Sequence, residues 1–311
     1  MPLDPRVRRF LDVLAATNPA NTLDLSAEAR REGLGQLLRF SGPPESVGAI
    51  EERTVAGAAT TLRARVYTPL TGSAATLPGL VYFHGGGFVA GTLDTHDPLA
   101  RALTNASGCR LVSVDYRLAP EHRFPAAVDD ATAAARFVAA EARSFGIDPS
   151  RLAIAGDSAG ATLAAAVCQG LAPFPAPRPA LQVLLCPILD YAALSESRRA
   201  LASGYLLDEG TLAHDLAHYL PPGADPADPR VSPLRGHDLG GLPPTIIHCA
   251  EYDPLRDEAQ AYAERLRLAG APVSCTCHAG MIHLFYALGG VIPHAGAAVA
   301  ALGAEIRAAL A

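Results

Sequence analysis

Short apolar runs alternate along most of this chain with longer stretches in which apolar residues recur at helical spacing. The short runs predict buried strands, and the longer stretches predict helices that pack against them. This β-α alternation indicates the α/β class, with a mostly parallel sheet covered by helices on both faces. Ligand sites in such sheets gather at the carboxyl ends of the strands, so functional residues are expected in the loops that follow them. The predicted strands are Leu62 to Tyr67, Gly79 to Phe83, Arg110 to Tyr116, Arg151 to Ala155, Leu181 to Leu185, Thr245 to Cys249 and Val273 to His278, and the predicted helices are Asp97 to Ala106, Ala126 to Ser144, Ala159 to Leu171 and Pro254 to Ala269.

Two stretches depart from this alternation. Residues 1 to about 45 predict two amphipathic helices, Val7 to Ala16 and Ser26 to Phe40, before any strand. Residues from about 190 to 239 are rich in Pro, Asp and Ala, with one predicted helix from Asp208 to Tyr219. We expect both stretches to form a cap over the active end of the sheet, and peripheral packing is the alternative. No linker divides the chain, so residues 1–311 are predicted to form a single domain.

The composition indicates a globular protein and narrows its partners. Hydrophobic residues make up 50% of the chain and charged residues 18%, with a net charge of −6 and a pI of about 5.9. No block of like charge is present, which argues against nucleic acid or an anionic membrane surface as a partner. The basic residues are all arginine, which excludes a lysine Schiff base. Neither a secretory signal nor a convincing membrane span is found, so we predict a cytoplasmic protein and leave a homo-oligomer open.

The six cysteines point to a reducing compartment. Most of them lie inside apolar runs and none forms a C-x-x-C pair, so we interpret them as buried thiols. Cys275 and Cys277 are two residues apart in a predicted strand and share a face. No second pair supports a soft metal there, and no metal is predicted.

The segment from Leu152 to Gly160 carries the strongest chemical signal. It reads LAIAGDSAG, an apolar run that breaks at Ser158 between two glycines and continues into an alanine-rich helix. A G-x-S-x-G turn between a strand and a helix projects its serine at a helix N-terminus, where backbone N–H groups favour a negative oxygen. Ser158 is therefore a candidate nucleophile, and the N–H of Ala159 a candidate oxyanion donor. On the pentapeptide alone, an ordinary strand-to-helix turn is the alternative.

A glycine loop, His84-Gly85-Gly86-Gly87, follows the predicted strand that ends at Phe83. Successive glycines let the backbone approach a ligand, and their N–H groups can converge on one oxygen, so the loop is a candidate oxyanion hole. The same glycines also fit G-x-G-x-x-A ahead of a strand that carries Asp115. That second pattern is typical of dinucleotide binding, and the loop alone does not separate the two interpretations.

An acid and a histidine follow two later strands, and they favour acyl transfer. A serine hydroxyl needs a base, and the base needs an acid that fixes its tautomer. Asp253 follows the strand that ends at Cys249, and His283 follows the strand that begins at Val273. The chain order serine, acid, histidine is that of the G-x-S-x-G hydrolases, and a dinucleotide site explains neither residue. The competing assignments are Glu251 or Asp257 as the acid and His278 as the base.

The remaining polar motifs are assigned structural roles. His214 and His218 stand at i and i+4 on a predicted helix, but Asp replaces the Glu of a zinc protease and no third ligand is evident. Asp157, Glu121 and Arg117 are expected to be hydrogen-bonding partners rather than catalysts.

Four motifs together give the chain a resemblance to a known family. It is similar to the hormone-sensitive-lipase-like branch of the α/β-hydrolases, the bacterial carboxylesterases with an HGGG loop and a GDSAG elbow. The matching residues extend from His84 to about Phe285 and include, besides the loop and the elbow, Asp115 to His122 and Asp253 to Asp257. Two small departures are Ala161 and Leu284, where this family commonly has glycine.

The resemblance implies an α/β-hydrolase fold with a helical cap and no cofactor. It also implies a serine carboxylesterase that acts on small-molecule esters with short to medium acyl chains. The resemblance implies Ser158 as the nucleophile, Asp253 as the orienting acid and His283 as the base. It also implies an oxyanion hole in the loop that begins with His84 and Gly85, formed by the N–H groups of Gly86, Gly87 and, from the elbow, Ala159.

Three other functions stay open at this point. A deacetylase or amidase would use the same triad. A small-molecule receptor on this fold would lack the histidine, and the presence of His283 argues against it. A nicotinamide-dependent oxidoreductase would bind a cofactor and carry out no covalent chemistry at Ser158.

Overall fold

Eight strands form one sheet in the described part of the chain, in the order β1-β2-β4-β3-β5-β6-β7-β8. The computed structural model describes residues 1–17, 25–71, 76–170 and 178–311, so the predicted helix end at Leu171 and the segment between the two N-terminal helices lie outside it. The six strands from β4 to β8 along this order are parallel, and β2 pairs antiparallel with both β1 and β4. The strands are β1 (Ala49–Ala56), β2 (Thr61–Thr68), β3 (Leu77–Phe83), β4 (Arg110–Val114), β5 (Ile147–Asp157), β6 (Leu181–Leu185), β7 (Thr245–Tyr252) and β8 (Val273–Ile282).

The prediction of a mostly parallel α/β sheet is confirmed, with differences at its edges. The sequence did not predict β1, because most of its residues are exposed at the sheet edge and show no apolar alternation. Central strands such as β6 are buried along their whole length and therefore gave clear apolar runs. Strand β8 continues four residues beyond the predicted end at His278, so it reaches Ile282 and places His283 directly after its last residue.

Helices cover both faces of this sheet. Those described are α1 (Pro5–Thr17), α2 (Ala27–Leu37), α3 (Asp97–Ser107), α4 (Ala126–Ala140), α5 (Ala159–Gln169), α6 (Glu196–Ala200), α7 (Glu209–Tyr219), α8 (Arg256–Leu268) and α9 (His294–Ala309). Helices α4, α5 and α8 share an apolar core on one face, and α3 and α9 share the core on the other. The sequence did not predict α6 or α9, and α9 is an alanine- and glycine-rich helix with little contrast between its faces.

The two stretches expected to form a cap are joined to each other by an ion pair. Helix α2 begins after Ser26, whose side chain caps the helix by accepting the N–H of Ala29. Arg30 on this helix donates two hydrogen bonds, 3.1 and 2.9 Å long, to the carboxylate of Asp215 on α7. Neighbouring Arg31 donates to the carbonyl oxygen of Val89, just after the glycine loop. The arrangement of these two stretches as a cap on a single domain stays a prediction.

Of the six cysteines, four are buried as predicted, whereas Cys275 is partly exposed and Cys277 is exposed. The expectation of buried thiols is wrong for this pair, because both residues lie on the edge strand β8. Among the described residues, no helix combines the length and the apolar character that crossing a bilayer requires.

Candidate active site

Ser158 lies in the sharp turn between β5 and α5. Its backbone has φ 51° and ψ −119°, a positive φ that a residue other than glycine adopts at a cost of about 1–3 kcal/mol. The turn is held because the N–H of Ser158 donates to the carbonyl oxygen of Leu185 at the end of β6, over 2.8 Å. The residues on either side are buried, while Ser158 itself is partly exposed. The predicted elbow geometry is therefore present.

The glycines of the elbow are required by close packing. A side chain on Gly160 would collide with the carbonyl oxygens of Phe83 and His84 at the end of β3. One on Gly156 would collide with the carbonyl of Gly160. Because these two positions are glycines, α5 can start close to the glycine loop. The elbow and the loop, which are far apart in the sequence, therefore lie side by side.

His283 connects Ser158 to a buried carboxylate. Its Nε2 lies 3.1 Å from Oγ of Ser158, and its Nδ1 lies 2.7 Å from Oδ2 of Asp253. Asp253 is completely buried, and its other oxygen, Oδ1, accepts the N–H of Leu255 over 2.9 Å. This second bond fixes the carboxylate where β7 meets α8. The arrangement has the order and orientation that nucleophilic catalysis by serine requires.

The competing acids and base are bound elsewhere. Glu251 accepts the N–H of Gly280 over 2.7 Å, and Asp257 accepts the N–H of Ser197 over 2.7 Å, so neither carboxylate contacts His283. His278 contacts His294 and the hydroxyl of Tyr286 instead.

The glycine loop is tied to the elbow through Asp157. Oδ1 of Asp157 accepts the N–H of Gly85 over 2.9 Å and also accepts the hydroxyl of Tyr82. Gly86 and Gly87 have φ values of 122° and 64°, which glycine adopts without strain. Within the described ranges, the N–H groups of Gly86, Gly87 and Ala159, the first residue of α5, have no protein acceptor. These donors are available to a ligand.

A small pocket beside Ser158 and His283 is lined in part by Leu284 and by two residues, Cys186 and Tyr286, that were not predicted as site residues. Cys186 directly follows β6, and Tyr286 and Leu284 follow His283. Tyr286 contacts His278 over 2.8 Å, and His278 in turn lies 3.0 Å from His294. Functional residues of parallel sheets follow the carboxyl ends of strands, which is why Asp253 and His283 were predicted. Cys186 also follows the end of a strand and could have been predicted in the same way.

His84 is a buried support for the glycine loop. Tyr116 stacks on its ring at 4.5 Å between centroids and donates its hydroxyl to the carbonyl oxygen of His84 over 2.7 Å. Burial, and then the neighbouring His96, lower the pKa of His84 to about 3, so its imidazole is neutral at physiological pH. A neutral ring avoids placing a charge inside the core.

Two alternative sites find no support in the geometry. The glycine loop does not open a helix, because α3 begins only at Asp97, so the loop lacks the helix that follows a dinucleotide-binding turn and binds the pyrophosphate at its N-terminus. His214 uses Nε2 on the carbonyl of Leu25, and His218 uses Nδ1 on the carbonyl of His214. The two imidazoles therefore do not converge on a common ligand position.

Sequence and structure comparisons agree with this geometry. A family profile described as alpha/beta hydrolase fold matches residues 80–287. Carboxylesterase NlhH of Mycobacterium tuberculosis is 39% identical over 300 residues, covering 94% of this chain and 92% of the relative. Ethyl acetate hydrolase of Pseudomonas putida is 37% identical, covering 95% of each chain. The solved structure of the ester-hydrolase EH1AB1 from the metagenome of Lake Arreo, complexed with a derivative of bipyridine phosphonate, superposes with a TM-score of 0.95 at 40% identity and covers 98% of each chain.

The fold and its elbow thus define an α/β-hydrolase. The chain belongs to the alpha/beta hydrolase fold family, in the hormone-sensitive-lipase-like branch to which its HGGG and GDSAG motifs pointed. The resemblance predicted from these motifs is confirmed.

Proposed function

We propose that this chain is a serine carboxylesterase in which Ser158, His283 and Asp253 act as a catalytic triad. It is a carboxylic ester hydrolase, the reaction class for which its relatives are named. The observation that supports the triad most directly is the continuous chain of contacts from Oγ of Ser158 through the imidazole of His283 to the buried carboxylate of Asp253.

The reaction follows from these contacts. Oγ of Ser158 attacks the ester carbonyl carbon while Nε2 of His283 takes its proton. Asp253 accepts the Nδ1–H and stabilises the imidazolium that forms. The tetrahedral intermediate collapses, His283 returns the proton to the leaving alkoxide, and an alcohol departs. Water then attacks the acyl-enzyme with His283 again as base, which releases the acid and restores Ser158.

The negative oxygen of each tetrahedral intermediate is assigned to the N–H groups of Gly86, Gly87 and Ala159. Each such donor contributes roughly 3 kcal/mol to acyl transfer when it is aimed at the developing charge. Because these N–H groups have no acceptor among the described protein residues, no protein hydrogen bond has to break when the oxyanion arrives.

The substrate is a small-molecule ester with a short to medium acyl chain, and no cofactor takes part. The pocket beside His283 is narrow and lined largely by apolar side chains, which fits a small acyl or alkyl group. Residues 1 to 45 and 190 to 239 act as the cap on a single domain, and the protein works in the cytoplasm without nucleic acid. A homo-oligomer stays open.

Steady-state hydrolysis of p-nitrophenyl esters of increasing acyl length tests the proposal. Ser158→Ala and His283→Ala should each lower kcat by about 10⁴-fold or more, since members of a triad act as a unit. His278→Ala is the matched control, because it removes a nearby imidazole outside the triad and should keep kcat within a few-fold of the parent. Circular dichroism confirms that each variant folds.

Each alternative function gives its own result. Hydrolysis that survives Ser158→Ala would refute the mechanism. Intact protein that hydrolyses an amide or an N-acetyl group faster than the matched ester would indicate the amidase or deacetylase. Intact protein that binds esters without hydrolysing them would indicate a receptor.

A further inference from the structure

A thiol lies against the acid and the base of the proposed triad. Ligand atoms of Cys186, Asp253 and His283 all lie within 4.8 Å of one another, and in the described part of the chain no other group of three His, Cys, Asp or Glu does so. We propose that these three side chains form a binding site for a thiophilic divalent cation such as Zn²⁺ or Cd²⁺, and that the bound cation stops ester hydrolysis. The effect on hydrolysis rests on the proposed function, whereas the binding does not.

The backbone holds Cys186 in this position. It follows the last residue of β6, has a positive φ of 42°, and donates its N–H to the carbonyl oxygen of His248 over 2.7 Å. The side chain is only 3% exposed, yet it lines the same pocket as Ser158 and His283. A cation that enters the pocket therefore meets the thiol without unfolding the chain.

The donor set suits a soft divalent cation in charge and in type. Thiolate, carboxylate and neutral imidazole are the ligands that Zn²⁺ takes in proteins, commonly as three protein ligands with a fourth position open to water. One thiolate and one carboxylate neutralise the two positive charges, which matters because all three side chains are buried. Tetrahedral bonds of this kind separate the ligand atoms by about 3.4–3.8 Å. Nδ1 of His283 and Oδ2 of Asp253, now 2.7 Å apart, must move slightly apart, and all three ligand atoms already lie within 4.8 Å of one another.

Binding requires a defined movement of protons. A cysteine that is not bound to a metal is ordinarily a thiol, so the free site holds an S–H. The cation displaces that proton to solvent as the sulfur becomes a thiolate. His283 binds through Nδ1, the nitrogen that faces Asp253, and its single ring proton then sits on Nε2. Nε2 can no longer accept the proton of Ser158, which removes the base of the reaction.

A second group of thiols could bind the same cations and would then compete with the proposed site. Cys249 on β7 lies directly opposite Cys277 on β8, and Cys275 lies two residues from Cys277 on the same face. Cys277 is exposed and open to any thiophilic cation. A double variant, Cys275→Ser with Cys277→Ser, leaves the catalytic machinery untouched and removes both accessible thiols of this group.

Cd²⁺ titration of the double variant tests the proposal, with thiolate-to-cadmium ultraviolet absorption as the binding signal and ester hydrolysis as the second readout. The double variant should keep both the absorption and the inhibition. Adding Cys186→Ala should remove the absorption and raise the inhibitory concentration at least tenfold. Cys186→Gly is the second variant, since glycine suits the positive φ and preserves the fold.

Ser158→Ala in the double variant separates this proposal from the proposed function. It should bind Cd²⁺ as tightly as its parent even though it cannot hydrolyse esters. The proposal is overturned if the absorption disappears with Cys275 and Cys277, or if Cys186→Ala and Cys186→Gly remain as sensitive to the cation as their parent. Protein that lacks hydrolysis but shows Cys186-dependent absorption would overturn the proposed function and leave the cation site standing.

Discussion

Replacing Asp157 by alanine should lower kcat although Asp157 is not a member of the proposed triad. Its Oδ1 accepts the N–H of Gly85 over 2.9 Å and the hydroxyl of Tyr82. Burial works to raise the pKa of this carboxyl, but the neighbouring His96 and the Tyr82 hydroxyl outweigh it, so the pKa lies below its ordinary value. Asp157 is thus a charged acceptor that holds the glycine loop against the elbow.

Both the stability change and the rate change can be worked out from these contacts. Asp157→Ala leaves two buried donors, the N–H of Gly85 and the hydroxyl of Tyr82, without an acceptor. Each unpaired donor costs about 1–3 kcal/mol, so the free energy of unfolding should fall by roughly 2–6 kcal/mol. A loop that shifts also misdirects the N–H groups of Gly86 and Gly87. Losing one oxyanion donor lowers kcat by about 10²–10³-fold, and we expect an effect of that size.

Urea denaturation and kcat on a short-chain p-nitrophenyl ester measure the two effects separately. Asp157→Asn keeps an oxygen that can accept both donors, so its kcat should fall much less than that of Asp157→Ala. Tyr82→Phe is the matched control, because it removes one of the two bonds but leaves the bond to Gly85. It should lower stability with little change in kcat. A folded Asp157→Ala variant with kcat within about threefold of the parent would refute the reasoning, because the loop would then hold its position without the carboxylate.

Two further predictions concern Leu284, which lines the pocket, and His278, which contacts the pocket residue Tyr286. Leu284→Gly should lower KM for bulkier esters by widening the pocket, and an unchanged KM would contradict this. Its effect on stability should be small, because relief of the positive φ of 65° is offset by the loss of the contacts that the leucine side chain makes with the core. The pKa of His278 is lowered from 6.5 to about 4 by burial and then by His248 and His294. Between these pH values the unfolded chain binds a proton that the folded chain does not, so the free energy of unfolding should fall as the pH is lowered from 6.5 towards 4. Urea denaturation across that range should show that the free energy of unfolding depends less on pH for His278→Asn than for the parent. Equal slopes would exclude His278 as a source of the pH dependence.

The parallel core of the sheet was predictable because its strands are buried on both faces. An apolar run such as Leu181 to Leu185 is visible in the sequence whatever its neighbours are. Strand β1 was not predictable in this way, because its side chains are mostly exposed and its place depends on pairing with β2. The same holds for α9, which is recognisable by its packing against α3 rather than by a pattern of its own.

The sequence by itself determined which reactive groups the site could contain. A serine between glycines, an HGGG loop, and an acid and a histidine after two later strands are local patterns, and the rule that strand ends converge was enough to nominate Ser158, Asp253 and His283. The sequence also offered competing residues of the same types, and only the family resemblance favoured Asp253 over Glu251 or Asp257.

Only the tertiary structure decided between these residues, because the choice depends on distances across three strands. Asp253 is the carboxylate within 2.7 Å of His283, while the other two bind backbone N–H groups. The structure alone also brought Cys186 against that pair, since β6 and the loops after β7 and β8 meet at one edge of the sheet. Residue types set which reactions the chain can perform, and the order of the strands set which residues perform them together.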